Sequence, residues 1–390
     1  MDRQILPNMS AAAIDLCRAL VQCPSVTPQE GGALGVLEAA LRRAGFATHR
    51  VVFSEPGTPD IDNLYARVGT GAPYLLFAGH TDVVPVGDAA NWRFDPFSAE
   101  IADAAIFGRG VVDMKGGVAA FAAAACAFIA RHGTEKGSIG FLITGDEEGP
   151  AVNGTAKLLR WAHERGERFD HCILGEPTNP EALGDMIKIG RRGSLNGTLI
   201  AQGRQGHVAY PQRAINPIPQ LMRLLEVFRA PLDSGTAHFD ASNLEVVSVD
   251  VGNPAFNVIP AQARAKFNIR FNDLWTPDAL AAELRARLDA AGQGVDYKLS
   301  FEPCNALAFL TPPNRFTDLV AGAVRKRLGR TPVLSTSGGT SDARFIRAYC
   351  PVVEFGLVGA TMHMVDEHAS IKDIEALTEI YATLLEDYFG

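Results

Sequence analysis

Three short apolar runs in the first half of the chain each end in glycine and then in residues that carry charge. Leu75–Ala78 leads into Gly79-His80-Thr81-Asp82, Ser138–Thr144 into Gly145-Asp146-Glu147-Glu148-Gly149, and His171–Leu174 into Gly175-Glu176-Pro177. Strands that deliver polar residues at their C-terminal ends are how open α/β sheets build sites. In the first, His80 can ligate a metal through one ring nitrogen while the Asp82 carboxylate takes the N–H of the other. In the second, three adjacent acids repel one another unless a cation or a proton sits among them; a solvated acidic turn is the plain alternative. A fourth stretch, Phe107-Gly108-Arg109-Gly110-Val111-Val112-Asp113-Met114-Lys115-Gly116-Gly117, precedes a long Ala-rich helix running to about Ala130. Asp113 there reads either as a helix N-cap or as a further acid of the same site. Gly108-Arg109-Gly110 lacks the third glycine that a dinucleotide-binding turn needs.

A chain of 390 residues exceeds one ordinary core, so two domains are expected. An apolar content of 47% with 21% charged residues fits a globular protein, and the net charge of -8 speaks against nucleic-acid or anionic-membrane partners. Six cysteines, none in a C-x-x-C pair, read as buried free thiols of a reducing, cytoplasmic compartment. The first residues, Met1-Asp2-Arg3-Gln4, lead into an amphipathic helix without an apolar run of signal-peptide type, so no secretion signal is expected. The apolar run from Val118 to Ala130 is too short to span a bilayer and reads as a buried helix.

The pattern divides the chain. Ser10 is expected to cap a first helix through about Val21, and the α/β alternation continues to residue 191. From 192 to 303 the order becomes strand (194–202), helix (217–229), strand (243–251), strand (262–271), helix (277–291) and strand (295–301). That β-α-β-β-α-β order is ferredoxin-like. Residues 304–390 return to α/β character, ending in an amphipathic helix over about Ile371–Tyr388. The expected fold is therefore an α/β domain with a mostly parallel sheet, residues 1–191 and 304–390, carrying an inserted ferredoxin-like domain, residues 192–303.

His80, Asp113, Glu148, Glu176 and the late His363 gather near strand ends or helix starts of the first domain. Two imidazoles and three carboxylates suit two divalent ions, each with one His and one Glu, and with Asp113 between them. Nitrogen and oxygen ligands without thiolate favour zinc, with manganese or cobalt as substitutes. Gly79-His80-Thr81-Asp82-Val83-Val84-Pro85, Gly108-Arg109-Gly110 with Asp113-Met114-Lys115-Gly116, Asp146-Glu147-Glu148-Gly149, Gly175-Glu176-Pro177 and His363 occur in this order. Together they resemble the dinuclear zinc aminoacylase/carboxypeptidase family known as M20, over essentially the whole chain.

The resemblance implies that one zinc takes His80 and Glu176, the other Glu148 and His363, with Asp113 bridging and Asp82 orienting His80. It implies Glu147 as general base and acid, and a homodimer joined through the inserted domain. In that dimer His207, within Gly206-His207-Val208-Ala209-Tyr210-Pro211, would reach the partner's site and stabilise an oxyanion. Within the family, Ser337-Gly338-Gly339-Thr340-Ser341-Asp342-Ala343-Arg344-Phe345, Thr361-Met362-His363 and Ile189-Gly190-Arg191-Arg192-Gly193-Ser194 are similar to members that act on succinylated diaminopimelate in bacterial lysine synthesis. The expected reaction is hydrolysis of the amide bond of N-succinyl-LL-2,6-diaminopimelate, with a sister amidohydrolase acting on acetylornithine or acyl amino acids as the alternative. Such a small-molecule substrate carries three carboxylates. Arg191, Arg192 and Arg270 offer guanidinium groups to them, Gly339 and Thr340 offer N–H groups at a helix start, and Asn257 offers an amide. Two positions depart from the family pattern: Ala104 stands where glycine is common, and Phe256 where a smaller or polar residue is expected.

Overall fold

A computed structural model describes residues 8–390. The expectation about the first residues concerns a segment outside the described ones. The chain forms two compact units, one holding the residues up to Ile189 with Thr311–Ser335 and Ser341–Gly390, the other Gly190–Leu310 with Thr336–Thr340. The smaller unit thus runs a few residues beyond 192–303 at each end. Phe309 and Leu310 pair antiparallel with Arg191 and Gly190, which zips the incoming and outgoing strands together.

The larger unit is built on an eight-stranded sheet. Its spatial order is Ala47–Phe53, Ile61–Val68, Ser138–Thr144, Tyr74–His80, His171–Leu174, Val352–Glu354, Met186–Lys188 and Val333–Ser335. The four central strands, from Ser138–Thr144 to Val352–Glu354, are mutually parallel, and antiparallel pairs lie outside them. The central strands carry side chains buried on both faces, as parallel sheets covered by helices require. Phe77 stacks on Phe121 of the helix Gly116–His132 with ring centroids 4.4 Å apart, and that helix packs between Met9–Val21 and the last helix, Ile371–Phe389.

The helical stretch Val111–His132 spans 22 residues and is apolar enough to cross a membrane by length and composition. The shorter run 118–130 understated it. Burial decides the matter instead: 83% of the apolar window is buried inside the protein, which makes it a core helix. The first helix, Met9–Val21, starts one residue before Ser10. Asn8 caps it, its side-chain oxygen accepting from the Ser10 N–H.

The smaller unit has the four-stranded antiparallel order Asn243–Asp250, Gln262–Phe271, Gly193–Gln202, Tyr297–Phe301. Its helices, Pro217–Glu226 and Pro277–Ala291, put Leu221, Leu224, Leu280, Leu284 and Leu288 into one core with Leu195, Leu199, Phe267 and Ile269 of the sheet. This is the ferredoxin-like arrangement.

Candidate metal centre

Register brings the three glycine-ended strands to one level. Tyr74–His80 lies parallel between Ser138–Thr144 and His171–Leu174, with His80 beside Thr144 and Ala78 beside Leu174. The residues that follow each strand, Glu147 and Glu148 on one side and Glu176 on the other, therefore emerge on either side of His80. The loop carrying Asp113 closes over these ends because glycine leaves room for it. A Cβ on Gly79 would stand 2.4 Å from the Met114 side chain, and one on Gly117 would stand 2.5 Å from the Gly175 carbonyl oxygen.

Two groups of ligand atoms result, each within 4.8 Å: His80, Asp113 and Glu176, and Asp113, Glu148 and His363. The two carboxylate oxygens of Asp113 serve different imidazoles, Oδ1 lying 3.1 Å from His80 Nε2 and Oδ2 3.2 Å from His363 Nε2. Glu148 Oε1 lies 2.9 Å from the same His363 nitrogen, and Glu176 Oε1 3.8 Å from His80 Nε2. Asp113 is thus not the helix cap. The N-cap position of Gly116–His132 is Lys115, without a side-chain cap bond. The His80 group is closed to solvent, whereas the His363 side chain is 43% exposed, so the second group opens toward the outside.

His80 and Asp82 meet in a way the sequence did not indicate. The backbone carbonyl of Asp82, 2.9 Å from His80 Nδ1, takes the ring N–H; the Asp82 carboxylate stands 3.6 Å away. Nε2 is left as the ligand nitrogen. The Asp82 carboxylate instead accepts from the backbone N–H groups of Glu147 (3.3 Å) and Glu148 (3.0 Å) and so fixes the acidic turn. The three adjacent acids diverge to different partners, though Glu148 still helps to raise Glu147. Asp146 accepts from the N–H groups of Ala151, Val152 and Asn153, while Glu148 turns to His363.

The electrostatics call for positive charge. Burial pushes Glu147 and Glu176 well above the ordinary carboxylate range, and neighbouring acids, Asp342 for Glu147 and Asp113 for Glu176, push further. Burial raises Asp82 to about 6. Hydrogen bonds to Asp113 and Glu148 lift His363 to about 10. Burial works to raise Asp113, but its bonds from His363 and His80 bring it below its usual value. Glu176 Oε1 is buried without a hydrogen-bond partner. An orphaned carboxylate oxygen beside the His80 imidazole and other acids, with His363 on the far side of the shared Asp113, is the condition that bound divalent cations satisfy, so the residues fit two metal ions.

The remaining expected residues lie in the smaller unit. His207 and Asn257 meet in one corner: His207 pairs with Val258, and the Val208 N–H donates to the Asn257 carbonyl at 3.1 Å. The His207 ring is exposed and accepts the Ala209 N–H at its Nδ1. Arg192 donates to Asn243, and burial with the nearby charge of Arg192 draws Arg270 below its usual value. Arg191 is buried and donates to the Ser337 carbonyl; a Cβ at Gly338 would stand 2.7 Å from its Nη1. Gly339 is exposed, and the Thr340 hydroxyl has no hydrogen-bond partner. The helix after them, Ala343–Ile346, has four residues and carries Asp342 at its N-cap.

Ala104 and Asp103 form the turn between Glu100–Ala102 and Ala105–Phe107, both with positive φ (58° and 51°), which explains why glycine suits position 104. Phe256 is fully exposed. Two residues without an assigned role in the sequence prove central to the loop of Asp113: Arg109 and Glu367, a fully buried ion pair at 2.8 Å. Their only signal was position, an arginine between two glycines and an acid four residues after His363.

A parallel sheet whose strand ends assemble two His/Glu pairs around one shared carboxylate defines a two-metal hydrolase type of centre. Residues 76–387 match the family described as Peptidase family M20/M25/M40, and the chain belongs to that family. A relative from Methylocella silvestris, named succinyl-diaminopimelate desuccinylase, is 70% identical over 387 residues, 98% of this chain and 100% of its own length. One of the same name from Beijerinckia indica subsp. indica is 68% identical, covering 98% and 100%. Among solved structures, aminopeptidase PepT from Bacillus cereus superposes with a TM-score of 0.77 at 17% identity, covering 98% of this chain and 100% of that one.

Proposed function

We propose that this chain hydrolyses the amide bond of N-succinyl-LL-2,6-diaminopimelate, releasing succinate and LL-2,6-diaminopimelate. The observation that carries the chemistry is Asp113 shared between the His80/Glu176 and His363/Glu148 pairs; the full-length relatives support the substrate. The metals are read as two zinc ions, which supply Lewis acidity and lower the pKa of water when bound. His80 and Glu176 would hold one, Glu148 and His363 the other, and Asp113 would serve both. Glu147 removes a proton from the attacking water and delivers it to the leaving amine as the C–N bond breaks and the new C–O bond forms. Asp82 holds the Glu147 and Glu148 backbone in place.

The protein is read as a cytoplasmic homodimer joined through the smaller unit, with His207 stabilising the oxyanion in the partner's site. Six unpaired cysteines support the compartment. Arg191, Arg192 and Arg270 supply cations for the substrate carboxylates, with Asn257 and Thr340 as polar contacts.

A sister amidohydrolase acting on acetylornithine would share the metals and differ in these carboxylate contacts. The test is kcat/KM on succinyl-diaminopimelate and on acetylornithine, with and without added zinc. A site built to pair the distal succinyl carboxylate rejects the acetyl analogue by large factors, because its cation is left unpaired. Better turnover of acetylornithine would overturn the substrate assignment.

A further inference from the structure

We propose that Glu367 is a positioning residue for the metal centre, setting the bridging carboxylate of Asp113 and tying it to His363; this rests on the two-metal reading above. Glu367 is fully buried, and each of its carboxylate oxygens accepts twice. Oε2 takes Arg109 Nη1 at 2.8 Å and the Gly110 N–H at 3.0 Å; Oε1 takes the N–H groups of Val112 at 2.9 Å and Asp113 at 3.3 Å. The Glu367 carbonyl accepts the Gly108 N–H at 2.9 Å. One residue therefore grips the loop 108–113 along its length and ends on the N–H of the shared ligand.

Glu367 also belongs to the same closed turn as His363. The Thr361 hydroxyl donates to the His368 carbonyl at 2.8 Å, and the Met364 N–H donates to the Thr361 carbonyl at 3.1 Å, closing 361–368 on itself. His368–Ser370 then adds antiparallel to Ala105–Phe107, just before the loop. The ligand His363 and the grip on the ligand Asp113 are thus parts of one body. A buried carboxylate is costly unless fully hydrogen-bonded, and here its acceptors are spent on the backbone that aims Asp113. Partners of this kind fix ligand geometry, and their loss typically costs about 10–100-fold in metal affinity.

The experiment compares cobalt(II) binding to the metal-free wild type, Glu367→Gln and Arg109→Met, by calorimetry and by the d–d absorption spectrum. Glutamine keeps the shape but turns an NH2 group toward two buried donors. Arg109→Met removes the ion pair and the guanidinium's bond to the Met364 carbonyl, and leaves the three backbone N–H bonds to Glu367. The expected result is two ions in the wild type and, in Glu367→Gln, at least one affinity lowered about 10–100-fold with an altered spectrum. Arg109→Met, whose lost guanidinium also holds the Met364 carbonyl beside His363, is expected to lose clearly less affinity than Glu367→Gln even where its melting temperature falls. Wild-type binding in Glu367→Gln overturns the proposal, and so does an equal loss in both variants, which would make the pair a general stabiliser. If Glu367→Gln does not fold, Glu367→Asp replaces it, keeping the charge but drawing the acceptors back by one methylene; an unchanged cobalt spectrum there overturns the proposal. A wild type that binds fewer than two ions refutes the two-metal reading itself.

Discussion

Every residue of Tyr74–His80 and Ser138–Thr144 in the larger unit is buried, whereas Gln262–Phe271 in the smaller unit alternates, with Ala263, Ala265, Phe267, Ile269 and Phe271 inside and Gln262, Arg264 and Lys266 exposed. A strand covered on both faces has no cheap place for a charged side chain except beyond its end. Parallel neighbours put those ends on one edge, so His80, Glu147, Glu148 and Glu176 converge without being close in sequence. A sheet covered on one face carries polar residues anywhere along the other, and they stay apart. Among the described residues, no group of metal-holding side chains lies in the smaller unit. The larger unit concentrates chemistry; the smaller one offers single groups, such as His207 and Arg270.

If chemistry resides in the larger unit, Glu147→Ala should leave both metal ions bound and lower turnover about 10²–10⁴-fold, the usual worth of a general base. Metal content beside kcat checks this, and normal turnover would remove Glu147 from the role. The contribution of the smaller unit is tested by His207→Ala, expected to lower kcat about 10²–10³-fold as loss of an oxyanion donor does. Mixing it with Glu147→Ala subunits should restore part of the activity, since one site of the mixed dimer is intact. No recovery despite subunit exchange would deny that His207 serves a partner.

The smallest effect is expected where the smaller unit stores polar energy for stability alone. Asp233 accepts from the N–H groups of Gly235 and Ser242, from Asn272 Nδ2 and from Trp275 Nε1. Burial works to raise its pKa, but the bonds from Ser242, Gly235 and Trp275 prevail and lower it from 3.8 to about 2. A depressed pKa gives stability that is present above 3.8 and lost as pH falls through about 2. Asp233→Asn should cost about 1 kcal/mol at neutral pH, a charged hydrogen bond discounted for solvent screening. The gap in melting temperature should close as the solution is acidified across that window, with activity per folded molecule unchanged. Equal melting temperatures at neutral pH would contradict it.

The strand ends were legible because glycine followed by charge after an apolar run is a local signal, and most helices and strands carried their own caps and periodicity. Thr276 caps and Gly292 ends the helix Pro277–Ala291 at the residues the sequence marks. What depended on distant contacts was not legible. Nothing in Asp146-Glu147-Glu148 tells which acid folds back onto backbone N–H groups, since only the following loop decides it. Nothing near Gly339 shows that the next helix stops after four residues. The grip of Glu367 on Asp113 joins residues 254 positions apart, and no local pattern announces it.

Asp113 as the one carboxylate common to both ligand groups is the centre of this account. The direct measurement is the zinc content of metal-free protein reloaded with zinc and freed of excess, in the wild type and in Asp113→Ala. The wild type should retain two zinc ions per chain and regain activity with them, and Asp113→Ala should retain fewer than two, because each group loses its shared oxygen. Two tightly held ions in Asp113→Ala, or full activity in the wild type without metal, would contradict it.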